Sequence, residues 1–404
     1  MAKTEAYKWE FKARFRRHAF GWRSQPAITR IKQAVAEIKR VARKDPVLAA
    51  EGAITLLERV SPALEHVDSS SGSIGTAVNN SITELLPIIA SAPADATLRD
   101  SWLERLFAAH QADEIPYIER LADHWGELCG SKPLASVWAD RLIGTTRMAL
   151  SPDKNLRGHY HGTSACLSAL YRAERFDEVI ELLRVDTIWT YKQWTVRALA
   201  ASGKQAEALR YAESCRGPRA SSHQIDSLCE EIVLSSGMVD EAYARYAVRA
   251  NHRGTYLATF RAISQKYPNK AAGEILADLV KTTPGDEGKW FAAAKDAGLY
   301  DEALALAGRS PCDPKTLTRA ARDYAEKQPA FAVGAGVLAL HWLVQGYGYD
   351  ITSVDVWEAY RSTLAAAERQ GRALEVKARV RKMVAAEGAG ERFVTKVLGR
   401  DLGL

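Results

Sequence analysis

Apolar residues recur every three or four positions along most of this chain, in stripes separated by short polar turns. Ile28, Ile31, Val35, Ile38 and Val41 form one stripe, and Leu48, Ile54, Leu56, Leu57 and Val60 form the next. A third runs through Ile82, Leu85, Leu86 and Ile89. That spacing places the apolar side chains on one face of an α-helix. No stretch sustains period-two alternation with β-branched residues, so strands are not expected. Start signals support the helical reading. Asp45-Pro46 and Asp313-Pro314 each supply an acidic cap and a proline at the first helical position, and Asp95 caps the helix after Ala92-Pro93-Ala94. Pro26 falls in the first turn of its helix, and residues 5–20 are expected to be helical, with Phe11 and Phe15 on one side and Gly21 at the end.

Four turns share one pattern. They are Glu174-Arg-Phe-Asp-Glu-Val179, Gly203-Lys-Gln-Ala-Glu-Ala208, Gly237-Met-Val-Asp-Glu-Ala242 and Gly298-Leu-Tyr-Asp-Glu-Ala303. Their glutamates, Glu178, Glu207, Glu241 and Glu302, lie 29, 34 and 61 residues apart, and Gly273-Glu274 falls near the middle of the last gap. A unit of this length, stacked on its neighbours, is a helix-turn-helix solenoid. The glycine suits a left-handed cap on the first helix, the acid suits the positive end of the second, and the alanine permits close helix approach.

Residues 160–307 accordingly resemble tetratricopeptide-type repeats. The resemblance implies an all-α, right-handed α-solenoid and a binding role in its concave face. The remainder reads as irregular, HEAT-like helix pairs. Four segments follow: basic helices over 1–44, irregular repeats over 45–158, tetratricopeptide-like repeats over 159–345 and a helical cap over 346–404.

Composition narrows the class. Of 404 residues, 47% are hydrophobic and 26% charged, which is globular, and no apolar run is long enough to span a bilayer. The first residues lack the apolar core of a secretory signal, and the five cysteines are scattered with no Cys-x-x-Cys. A cytoplasmic protein with reduced, buried thiols and no membrane partner is expected. The net charge of +6 is unevenly spread. Residues 1–44 hold 13 Lys/Arg against 3 Asp/Glu, and residues 361–404 hold 10 against 5, whereas the middle is acidic. A basic groove along the whole solenoid is therefore disfavoured.

Candidate chemistry is sparse. Between Lys8 and Arg23, cations alternate with aromatics. Lys12, Arg14, Arg16, Arg17 and Arg23 suit phosphates, and Trp9 or Trp22 suits base stacking. The same run also suits an acidic protein, or a capping helix whose Phe11 and Phe15 cover the first repeat. Trp189 and Trp194 are candidates for the groove or for the core. His159-Tyr160-His161, with Cys166 beyond it and His124 and Cys129 upstream, is weighed against a turn in which the histidines bond backbone; no metal or other cofactor is expected. The loop from Asp68 to Gly75 precedes a helix but lacks the Lys-Ser/Thr of a phosphate-binding loop. The recurring Asp-Glu pairs are helix starts, because a catalytic pair is needed once and a helix start in every repeat. The expected function is a non-enzymatic adaptor that holds a protein or peptide. Its rivals are a nucleic-acid-associated protein that docks through its basic ends, and an enzyme whose groove carries an isolated carboxylate without a motif.

Overall fold

The four recurrent turns close in one way. Gly203, Gly237 and Gly298 sit at φ 80°, 76° and 74°, and Glu174 takes the same left-handed conformation at φ 61°. In each turn the next N–H reaches back five residues along the chain: Lys204 to the Leu199 carbonyl (2.9 Å), Met238 to Val233 (3.2 Å), Leu299 to Ala294 (2.9 Å) and Arg175 to Leu170 (3.0 Å). This cap satisfies carbonyls that the helix end would leave without partners. Glu178, Glu207, Glu241 and Glu302 then occupy the first turn of the following helix. Ala208, Ala242 and Ala303 are fully buried where the two helices meet.

A computed structural model describes residues 7–153, 155, 157–185, 188–217, 221–388 and 392–404. Among them the chain is all-α, with 21 α-helices, three short 3-10 helices and no strand. It forms two compact units, Met1–Ser221 and Ser222–Leu404.

In the first unit, the helices Ser24–Ala42, Pro46–Leu64 and Ser73–Ser91 pack on one another, and Ala96–Gln111 packs on the second of them. Asp45 and Asp95 cap their helices as expected, accepting the N–H of Leu48 (2.9 Å) and of Leu98 (2.8 Å). Trp102, Trp125 and Trp138 fill the centre, and Trp125 meets Trp138 edge-on at 5.2 Å. Helix pairs then follow in chain order: Lys132–Ala149 with Thr163–Arg172, Phe176–Leu182 with Trp189–Ala201, and the latter with Gln205–Ser214.

The second unit repeats the hairpin more regularly. Ser222–Ser235 pairs with Val239–Ala250, Tyr256–Lys266 with Ala272–Lys281, Phe291–Asp296 with Tyr300–Arg309, and Pro314–Asp323 with Pro329–Val344. First helices touch first helices of the next pair at two junctions, Tyr256–Lys266 with Phe291–Asp296 and Pro314–Asp323 with Ser353–Glu368, which is the nearest-neighbour packing of a solenoid. Buried acids pin the start of this array. Glu230, with no exposed surface, accepts from Asn251 Nδ2 (2.7 Å), Lys266 Nζ (2.5 Å) and Tyr267 Oη (2.5 Å). One turn earlier, the equally buried Asp226 accepts from Arg249 Nε (3.0 Å).

Two expectations need correction. The described part of residues 5–20 is not a helix, apart from a 3-10 turn at Phe11–Ala13. Trp9, Phe11 and Phe15 are all buried, and residues two apart cannot share a helix face. Gly273 is not a turn glycine either; it lies inside Ala272–Lys281, preceded by Ala271 as the cap residue.

Candidate nucleic-acid interface

The segment carrying the basic run is fixed from beneath. Trp9, Phe11 and Phe15 join the core of the first unit, and Phe15 meets the half-buried Phe20 at 5.4 Å. Glu37, buried on the helix Ser24–Ala42, accepts the backbone N–H of Glu10 (3.0 Å) and of Phe11 (3.3 Å) through separate carboxylate oxygens. Arg59 adds long contacts to the carbonyls of Lys12 and Phe15, both 3.5 Å. His18 turns the chain at φ 56°, stacks on His66 at 4.6 Å and places Nδ1 3.2 Å from Glu65.

With its aromatics facing inward, the segment turns its cations outward. All twelve described Lys and Arg residues between positions 7 and 44 are exposed. Among the described residues, only Arg17 and Lys39 of these reach a carboxylate, on Glu65 (3.6 Å) and Glu84 (2.5 Å). Lys12, Arg14, Arg16 and Arg23 therefore have no acidic partner among the described residues, and Trp22, 72% exposed, lies in the same stretch of chain. The rest of the first unit differs. Arg105 bridges Glu51 and Glu58, Arg141 bridges Asp100 and Glu104, and Arg175 bridges Asp140 and Glu178. Those arginines tie helices together; of the early cations, only Arg17 and Lys39 make such pairs among the described residues.

One concavity gathers this charge. A cavity of about 220 Å³ lies between the 3-10 turn and the helix Ser24–Ala42, lined by Arg14, Arg30, Gln33, Glu37 and Arg40 among others. Arg14 Nη1 (3.4 Å) and Arg30 Nη1 (2.8 Å) both donate to Gln33 Oε1. Arg30, Gln33, Glu37 and Arg40 fall on one helical stripe, which is a signal present in the sequence. Sequence reasoning stopped at Arg23 and missed it.

The other candidates separate from this surface. Trp189 and Trp194 are buried, so packing replaces the groove-anchor role considered for them. Trp194 belongs to the core, beside Tyr171 at 5.7 Å. His159 and His161 lie edge-to-face at 4.6 Å, with His110 6.2 Å from His161. Burial pulls the pKa of His110 down and keeps that ring neutral. Among the described residues, no group of three or more His, Cys, Asp or Glu is placed to hold a metal. In the loop after Val67, the Ser70 N–H and hydroxyl hold the Asp68 carboxyl below its usual range, and Asp68 donates its own N–H to the Trp22 carbonyl (2.9 Å). The thiols of Cys129 and Cys312 are pushed up to about 12, and that of Cys166 to about 11, by burial, which leaves them un-ionised and unreactive.

Asp100, Glu178 and Asp296 each bond an arginine that holds the carboxyl below its usual range, the opposite of the rise that an acid catalyst needs. Among the described residues, no helix is long and apolar enough to cross a membrane.

Fold and surface together define an all-α helical-repeat protein with a basic face built on its first helix pair. No family model and no curated protein matches the chain.

Proposed function

We propose that this chain is a non-enzymatic helical-repeat protein that docks nucleic acid on the basic face of residues 8–44. One observation carries this reading: ten of the twelve described cations there are exposed and meet no carboxylate among the described residues, while arginines deeper in the unit are used in interhelical ion pairs. Cations that no neighbouring carboxylate neutralises are available to phosphates. Trp22 offers an exposed ring on which a base can stack. The buried aromatics beneath hold the segment in place, so little ordering entropy opposes binding.

Titration of a labelled single-stranded RNA and of a DNA duplex at rising salt tests the reading. Affinity should fall steeply with salt, the logarithm losing about 0.7 to 0.9 per phosphate neutralised for each decade. Replacing Lys12, Arg14, Arg16 and Arg23 by alanine should weaken binding and flatten that slope. Absence of binding at low salt, or an unaltered slope in the variant, removes the proposal.

The adaptor reading retains one specific observation, in the second unit. Tyr347, 46% exposed, lines a cavity of about 590 Å³ with Ile351, Glu387, Arg392 and Phe393, and Tyr349, 85% exposed, stands two residues further along the same turn. Exposed aromatics beside a charged groove suit a peptide. Selection from a random peptide library should enrich a sequence class on the native chain and lose it on Tyr347→Ala. If no class is enriched, the groove has no such role.

A further inference from the structure

We infer that the second unit reads two features of a peptide together: Arg319 takes the carboxylate of an Asp or Glu, and the pocket beside Tyr347 takes a large apolar side chain near it in the peptide. This rests on the adaptor reading above and gives that partner its chemistry.

Two cavities adjoin in this unit. The one beside Tyr347, about 590 Å³, and another of about 350 Å³ between the helices Pro314–Asp323 and Ser353–Glu368 share Leu343 and Ile351 as lining. The apolar end is built in advance. Tyr347 meets the buried Trp342 edge-on at 5.2 Å, and Trp342 Nε1 donates to the Ala307 carbonyl (2.8 Å). Gly348, at φ 117°, lies so close to Ile351 that a Cβ there would overlap the isoleucine side chain. A turn already packed in this way loses little entropy when a ligand arrives. With the half-buried Ile351 and Phe393 beside Tyr347, this end suits an aromatic or large aliphatic residue.

The polar end is defined by pairing. Lys315 lies 3.5 Å from Asp355, and Arg322 lies 2.9 Å from both Glu358 and Asp323. In the larger cavity Arg392 and Glu387 balance in charge. Arg319 is the cation left over. It is exposed, and among the described residues it bonds only neutral acceptors of its own helix, the Lys315 carbonyl (3.3 Å) and the Thr316 hydroxyl (3.1 Å). One cation without an acid calls for a singly charged group. An Asp or Glu side chain supplies that charge, whereas a phosphorylated residue brings about 1.5 to 2. The guanidinium fork matches a carboxylate, and such charge-assisted bonds are stronger than those to neutral acceptors. A peptide carboxylate therefore displaces the contacts that Arg319 makes along its own helix.

The test uses end-blocked Gly/Ser peptides carrying one Glu and one Phe, separated by up to about six residues, which an extended chain spans in ~20 Å. Fluorescence anisotropy on the full chain reads their binding. At a preferred spacing the Glu–Phe peptide should bind about tenfold tighter than its Gln–Phe counterpart, the scale of one charge-assisted contact. Arg319→Gln should erase the preference for Glu over Gln and keep that for Phe over Ala. Tyr347→Ala should do the reverse. Equal affinity for Glu and Gln peptides at every spacing, a Glu preference that survives Arg319→Gln, or tighter binding of phosphoserine in place of Glu overturns the inference. Phe-dependent binding that Tyr347→Ala abolishes would then keep the adaptor reading. If no Glu–Phe peptide binds, the inference fails, and the library selection above decides the adaptor reading by itself.

Discussion

The indole of Trp9 occupies the space that a side chain on Gly52 would fill. A Cβ built at Gly52 falls well inside van der Waals contact with three atoms of the six-membered ring. Trp9 is 7% exposed and Gly52 lies in the interior of the helix Pro46–Leu64, so neither partner has room to withdraw. This close approach lets the basic segment lie flat on the first helices. Gly52→Ala should cost about 1–3 kcal/mol of stability, the usual penalty for overpacking a filled site. Urea unfolding measures it. An unchanged midpoint means that Trp9 is not held against this helix.

Glu37 performs the corresponding polar task. It lies on the same helix as the exposed cations but points inward, and its two oxygens take the N–H groups of Glu10 and Phe11. Removing it leaves those donors without their partner at a cost of about 1–3 kcal/mol if water does not replace it. Glu37→Ala should therefore loosen the segment locally, and trypsin should cut after Lys12 or Arg14 faster than in the native chain. Cleavage at an unaltered rate would assign the anchoring to the aromatics alone.

Two glycines should respond to alanine with opposite signs. Gly237 closes a helix at φ 76°, where a Cβ is strained by about 1–2 kcal/mol, so Gly237→Ala should destabilise by that amount. Gly273 sits within a helix, and an added Cβ would meet only Leu299 Cδ1, at 3.9 Å. Gly273→Ala should stabilise by about 0.5–1 kcal/mol. Paired denaturation curves check both, and a shared sign would contradict the cap assignment at Gly237.

These glycines also mark what a sequence can and cannot reveal. The turns at Gly203, Gly237 and Gly298 were legible because a cap and a helix start occur within six residues, so local chemistry suffices. Gly273 differs in spacing, since Glu274 follows it directly instead of four residues on, and with the preceding helix ending at the buried Tyr267 it falls inside the next helix. Gly371 makes the same left-handed turn before Arg372, whose N–H reaches the Ala367 carbonyl at 3.0 Å, and Glu375 follows it at the same four-residue spacing, without the alanine that closes three of the other turns. The basic segment was legible as charge. Its junction with Arg30 was not, because Arg14 and Gln33 meet across 19 positions only after Trp9, Phe11 and Phe15 turn inward. Trp189 and Trp194 were undecidable by spacing, since a tryptophan suits a core and a groove equally well.

The last prediction concerns alkaline stability and the buried pair Tyr267 and Glu230. Tyr267 is buried and donates its hydroxyl to a carboxylate that has no exposed surface. Burial first, and then the Glu230 carboxylate, pushes the tyrosine pKa well above its usual range. Tyr243 shifts the same way through burial and its bond to Asp278. The folded chain therefore keeps a phenol proton that the unfolded chain releases near pH 10. Below that pH both states hold the proton and this contribution to stability is complete. As pH rises through and above about 10, the unfolded state binds fewer protons than the folded one, and stability falls. Urea midpoints should hold between pH 7 and pH 9 and then decline by pH 11. Tyr267→Phe should lower the midpoint at neutral pH, because Glu230 loses a donor, and should make the decline shallower. A decline equally steep in the variant would place the alkaline sensitivity at other groups.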